Sequence, residues 1–342
     1  MAVSIKDIAR VANVSYSTVS RALNDSPRVN PQTKARIQSI AAEMGYLPSA
    51  VARSLVTRRT NTLGIVVTTI TDLFFAEVIH AIEETALKHS YNVILTNSGG
   101  YLERELAALR SLRERRVDGI ILISGCTDDT FCKEEGIETP IVIINNAYRE
   151  HVGYSVEVDN AAGAREAVCH LLHLGHSRIA HIAGPAREWD AVERLRGYEE
   201  ALQAGGLAVD RELIVAGDNQ PEGGIASMQH LLTLPVRPTA VFCYNDATAI
   251  GAMRAARIAG LRIPDDLSVV GFDDIDLARH LEPPLTTVAQ PKHQMGETAV
   301  EMILALLSGS QQPDQADRAP VTDCVLPSQL IVRESTATLA RV

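Results

Sequence analysis

From Leu63 onward the chain alternates short runs of apolar β-branched residues with longer stretches of helical periodicity, and this alternation most limits its fold. It predicts strands over 63–68, 92–96, 119–123 and 141–145, with helices over 74–89 and 101–116 between them. The pattern restarts with a helix over 160–174. Strands at 179–184, 213–215, 240–244 and 267–272 then interleave with helices at 191–204, 222–232 and 246–259. Strands alternating with helices make parallel, doubly wound sheets. One sheet of that length is implausible, so two lobes are expected, with a late helix over 294–307 crossing back to the first. The apolar content is carried by Ala, Leu, Ile and Val, and aromatics make up 4 % of the 342 residues, which fits α/β better than a β-sandwich.

In such sheets, ligands bind beyond the carboxyl ends of the strands. Those ends read Thr68-Thr69, Thr96-Asn97, Asn145-Asn146, Gly184-Pro185, Asn245-Asp246 and Asp273-Asp274. Thr, Asn and Asp can bracket the hydroxyls of a polyol. Each can equally cap the helix that follows, Asn245-Asp246 above all. Trp189, in a predicted loop near the cleft, could stack on a sugar ring or simply pack.

The first 59 residues are different. They hold nine Lys/Arg against three Asp/Glu, so residues 60–342 must carry −16 to give the whole-chain −10. A basic head on an acidic body points to nucleic acid. Ser4 and Asp7 have capping-box form before a helix with Ile5, Ile8, Ala9 and Ala12 inward. Asn13-Val14 breaks it, and Ser15 caps a second helix from Tyr16 to Leu23. Two short helices joined so tightly form a helix-turn-helix, with Tyr16, Ser17, Ser20 and Arg21 outward. Asn30-Pro31 starts a third helix that Gly45 ends. Residues 49–55 follow as a helix too short to be stable alone.

Several classes are disfavoured. The start MAVSIKDIAR has no apolar signal core, and no apolar run nears the roughly 18 residues that span a bilayer. The five cysteines are scattered, as buried thiols of a reducing cytosol would be. His170, His173 and His176 have partial metal spacing, but no acid or Cys completes a set. No phosphate loop, nucleophile elbow or dinucleotide fingerprint is found, so neither catalysis nor a cofactor is expected. A sugar-transport protein fits the body but not the head.

Three runs now act together: Ile5-Lys6-Asp7-Ile8-Ala9, Val14-Ser15-Tyr16-Ser17-Thr18-Val19-Ser20-Arg21 and Pro48-Ser49-Ala50-Val51-Ala52-Arg53-Ser54-Leu55. In order and spacing they resemble the LacI/GalR family of bacterial transcription regulators. The body carries further matching runs at 176–185, 194–198, 270–274 and 283–291. The resemblance implies a helix-turn-helix domain over 1–47, a hinge helix and linker over 48–61, and an effector-binding and dimerisation domain over 62–342. The last has a periplasmic-binding-protein-like form: lobe 1 spans about 62–158 and 291–321, lobe 2 about 159–290 and 322–340. It implies that Ser15, Tyr16, Ser17 and Arg21 address the major groove, and that Lys6, Asn24, Arg28 and Thr33 meet the DNA backbone. Ala52 and Leu55 would enter the minor groove from paired hinge helices.

For the effector, the resemblance carries over Arg194, Asn245, Asp273 and Gln290, with Asn145 and Phe74 from the first lobe. Asp72 stands where the family often has Asn, and Asn219 where relatives often have an aromatic, so the ligand face departs from the family there. The implied protein is a cytoplasmic, nucleoid-associated homodimer that represses transcription from operator DNA under control of a carbohydrate-like effector. It lacks the leucine-heptad tail that makes one relative a tetramer.

Overall fold

The computed structural model describes residues 3–23, 25–46, 59–125, 139–145, 153–309 and 323–339. The chain divides into two compact units, 1–60 and 61–342.

In the first unit, α1 (Ile5–Ala12), α2 (Tyr16–Leu23) and α3 (Pro31–Glu43) enclose a small core of Ile8, Ala12, Val19, Ala22, Ile37 and Ala41. The Asp7 carboxylate reaches back to accept from the Ser4 amide at 3.1 Å and the Ser4 hydroxyl at 2.6 Å, and these bonds hold its pKa below the ordinary value. Asn13, at φ 52°, closes α1 in the left-handed region that Asn tolerates. Ser15 Oγ then accepts from the Thr18 amide at 3.1 Å and starts α2. Asn30 Oδ1 accepts from the Gln32 amide at 2.9 Å, with Pro31 as the first residue of α3, and Gly45 at φ 66° ends that segment.

The second unit is two α/β lobes. Among the described residues, lobe 1 is a six-stranded parallel sheet in the order β11-β5-β4-β3-β1-β2. The strands are β1 (Thr62–Val67), β2 (Asn92–Asn97), β3 (Gly119–Ile123), β4 (Ile141–Ile144), β5 (Tyr154–Val158) and β11 (Asp323–Leu326). Lobe 2 repeats the topology as β12-β10-β9-β8-β6-β7, antiparallel only between β10 and β12. Its strands are β6 (Ile179–Ala183), β7 (Ile214–Ala216), β8 (Ala240–Cys243), β9 (Ser268–Asp273), β10 (Thr286–Ala289) and β12 (Gln329–Ile331). The core strands β3, β4, β8 and β9 are buried along their whole length, which explains their unbroken apolar runs.

Helices cover the sheets: α4 (Leu73–Lys88) and α5 (Leu102–Glu114) on lobe 1; α6 (Asn160–His173), α7 (Trp189–Ala204), α8 (Pro221–Leu232) and α9 (Asp246–Ile258) on lobe 2. The late helix α10 (Lys292–Gly309) returns to lobe 1 and packs on α4, so closely that a Cβ at Gly296 would lie 2.8 Å from Ala81 Cβ.

One sequence expectation needs correcting here. Residues 322–340 do not all belong to lobe 2: β11 pairs with β5 in lobe 1, and the last crossing falls between Leu326 and Gln329. Strands β5, β10, β11 and β12 were not legible in the sequence. Their polar positions, such as Ser155 and Thr287, hide the apolar pattern, and each is satisfied by a residue distant in the chain.

Candidate functional site

In each lobe the strand order reverses beside the first strand, at β1/β3 and at β6/β8. The carboxyl ends at these reversals border a cavity of about 260 Å³ between the lobes of the second unit. Thr68, Thr69 and Ser124 line it from lobe 1, and Tyr244 and Asn245 from lobe 2. The structure gathers eight of the nine predicted effector residues there: Asp72, Phe74, Asn145, Arg194, Asn219, Asn245, Asp273 and Gln290. Trp189 is the exception. It is the first residue of α7 rather than part of a loop, half-buried, and does not line the cavity, whereas its neighbours Glu188 and Asp190 do.

Arg194 organises the lobe 2 wall. Its side chain is 3 % exposed. Nε donates to Asn160 Oδ1 at 2.9 Å and Nη1 to the Tyr244 carbonyl at 2.7 Å. The guanidinium lies 3.7 Å from the Phe272 ring centre, and its nitrogens come within 3.6 Å of Asp273 and 3.8 Å of Asp190. Asp273 sits at the end of β9 with φ 109° and accepts from Gln290 Nε2 at 2.7 Å. Burial pushes its carboxyl up to about 7 despite the pull of Arg194.

Tyr244 closes another part of the wall, its hydroxyl 2.6 Å from Asp190 Oδ2 and 3.2 Å from Glu188 Oε2. Burial, then the charge of Asp190, raises the Glu188 carboxyl. Asn219, at φ 67°, donates to Glu188 Oε2 at 2.8 Å.

Capping and lining coincide at two positions. Asn245 Oδ1 accepts from the Thr248 amide at 2.9 Å, and Asp72 Oδ1 from the Phe74 amide at 2.8 Å. Both are helix N-caps at the cavity wall, so at Asn245 the capping role expected from the sequence does not remove the side chain from the lining. Burial raises the Asp72 carboxyl. Sequence reasoning missed Glu188, Asp190 and Tyr244 as lining groups. Tyr244 directly precedes Asn245 at a strand end and was within reach of the strand-end rule; the acids were overshadowed by Trp189 between them.

His170 and His176, weighed as metal ligands, bind the C-terminal segment instead. His170 Nε2 lies 3.0 Å from Thr336 Oγ1, and His176 lies within 3.1 Å of Thr239, Ser268 and the Ala337 carbonyl.

In the first unit, Lys6, Ser15, Tyr16, Ser17, Arg21 and Arg28 are exposed, Tyr16 to 58 %, while Thr33 is half-buried. The amino end of α2 thus presents Tyr16 and Ser17 outward with Arg21 one turn on. Lys34 pairs with Asp25. Asn24, Ala52 and Leu55 lie outside the described residues.

Residues 4–49 match the profile of bacterial regulatory proteins, lacI family, and residues 168–336 that of a periplasmic binding protein-like domain. The chain is 40 % identical over 325 residues to the ribose operon repressor of Haemophilus influenzae, an alignment covering 94 % of this chain and 97 % of that one. The crystal structure of the lac repressor dimer bound to operator and the anti-inducer ONPF aligns with a TM-score of 0.87 at 29 % identity, covering 98 % of this chain and 100 % of that one. A LacI family transcriptional regulator from Enterococcus faecium with bound ribose aligns with a TM-score of 0.70 at 30 % identity, covering 82 % and 100 %. No helix among the described residues is long and apolar enough to cross a membrane.

Proposed function

The chain belongs to the LacI family of bacterial regulatory proteins, and we propose that it is a dimeric transcriptional repressor whose hold on operator DNA is set by a sugar or sugar derivative bound between its lobes. It is a DNA-binding regulator, not an enzyme. The observation that carries the effector reading is the cavity itself, where carboxyl strand ends of two matching sheets converge with polar side chains.

In this reading Tyr16, Ser17 and Arg21 contact base edges, with Ser15 fixing the start of their helix. Lys6, Arg28, Thr33 and Asn24 hold phosphates, and Ala52 and Leu55 enter the minor groove from paired hinges. In the cavity, Arg194, Asp273, Gln290 and Asn245 grip the ligand from lobe 2, and Asn145, Phe74 and Asp72 from lobe 1. The ligand acts by binding one lobe arrangement better than the other, since equal affinity for both would shift nothing. We assign the protein to the bacterial cytoplasm, at the nucleoid.

The test is operator retention on a gel by the full chain, with and without sugars that raise its melting temperature. A sugar that both stabilises the protein and changes operator affinity supports the reading. A stabilising sugar that leaves operator binding unchanged counts against allosteric control.

A further inference from the structure

The cavity proposed as the effector site has more acidic than basic side chains in its lining. Four carboxylates line it, Asp72, Glu188, Asp190 and Asp273, against two guanidinium groups, Arg187 and Arg194. Arg194 is already engaged: two of its nitrogens donate within the protein, and its charge lies between Asp273 and Asp190. Arg187 is exposed, and its charge is drawn on by Glu188 beside it.

The neutral lining groups lean the same way. Gln290 and Asn219 each tie their amide nitrogen to a carboxylate, Asp273 in one case and Glu188 in the other. Flipping either amide would set oxygen against oxygen, so the orientation is determined. That leaves Gln290 Oε1 and Asn219 Oδ1 buried with no partner, as is Asn145 Oδ1. The phenolic proton of Tyr244 is likewise directed to Asp190 and Glu188. Among the fully buried side-chain atoms of the lining, those still waiting for a partner are acceptors. Hydroxyls and amines can satisfy them. The oxygens of a phosphate ester can only accept, and they bring charge of the wrong sign.

Resting on the effector reading above, we propose that the cavity selects by charge: it takes an uncharged, hydroxyl-bearing sugar or its neutral glycoside and refuses the same molecule once phosphorylated, with Glu188 and Asp190 as the specificity-determining pair. Repulsion from the two carboxylates acts on a phosphate dianion and leaves a neutral polyol untouched.

The experiment titrates the full chain calorimetrically with three matched pairs: D-ribose and ribose 5-phosphate, D-glucose and glucose 6-phosphate, adenosine and its 5′-monophosphate. The neutral member of at least one pair is expected to bind, with its phosphate at least ~100-fold weaker. In the isosteric Glu188→Gln/Asp190→Asn variant that gap should shrink at least ~10-fold. If the double variant does not fold, Glu188→Gln alone is measured, since its amide can still accept from Asn219. A phosphate that binds as tightly as its parent sugar overturns charge selection and leaves the sugar-effector reading intact. An undiminished gap in the variants removes Glu188 and Asp190 from the role. Silence from every neutral member, with folded protein, overturns the sugar reading and this proposal with it.

Discussion

At the residue scale the cavity wall is an arrangement of ionisable groups that hold one another in place. Asp273 is the clearest case. Burial lifts its carboxyl to about 7 from an ordinary 3.8, so between those values the folded protein holds a proton that the unfolded chain has released. The stabilising contribution is full below about pH 4 and is lost as pH rises through 7. Asp273→Asn should therefore flatten the decline of melting temperature between pH 5 and pH 8, measured without ligand; an unchanged slope would show that Asp273 stays ionised throughout. Arg194 answers the buried Asp273 and the half-buried Asp190 from within the wall, and its removal also leaves Asn160 Oδ1 and the Tyr244 carbonyl without their donor. Arg194→Ala should cost about 3–5 kcal/mol in urea unfolding, the usual penalty for halving a buried pair. It should also abolish ligand-induced stabilisation.

At the element scale, the helices of lobe 2 approach one another through glycine. Gly224 of α8 faces the Thr248 carbonyl of α9, and Gly251 of α9 faces the Pro221 carbonyl of α8; a Cβ at either would collide with backbone. Backbone cannot yield as a flexible side chain can, so Gly251→Ala should destabilise by about 1–3 kcal/mol on denaturant unfolding. Gly309, with open space around its Cβ position, is the control and should change stability by less than ~0.5 kcal/mol when made Ala. These two helices line none of the cavity along their length, but the residues just before them do: Gln220 before α8, and Asn245 before α9, which is both cap and wall. Shifting α9 would move a proposed ligand contact, which links packing to binding.

At the scale of the whole second unit, one small network joins the lobes beside the cavity. Glu77 on α4 accepts from the Asp276 amide of lobe 2 at 3.2 Å and pairs with Lys292 at 3.2 Å. Lys292, at the start of α10, donates to the Asp273 carbonyl at 2.9 Å and also to that of Asp274. This latch lies on the crossing segment between β10 and α10, where a change of lobe angle must act. Partly exposed ion pairs contribute little to global stability. Glu77→Ala should therefore cost less than ~1 kcal/mol on unfolding while the Asp276 amide exchanges hydrogen at least ~10-fold faster. Unaltered exchange at Asp276 would mean that this contact does not hold the lobes together.

Local patterning by itself determined much of this protein. Unbroken apolar runs and period-3.6 stretches placed the buried strands and their helices, because those strands are covered on both faces and the helices bury one apolar stripe. The caps at Ser4, Ser15 and Asn30 marked the head because capping acts within one turn of chain. The three linked runs of the head and hinge, with those of the body, pointed to the family. What the sequence could not disclose depends on distant partners. Ser155 becomes a strand residue through Asp323, and Thr287 through Asp246, contacts 168 and 41 residues apart. Glu188, Asp190 and Tyr244 form one cluster only because α7 and β8 converge at the cleft. Which lining groups keep a free acceptor, and which are already occupied, was decided by the tertiary structure alone, because a hydrogen bond between remote residues leaves no periodic trace in the chain.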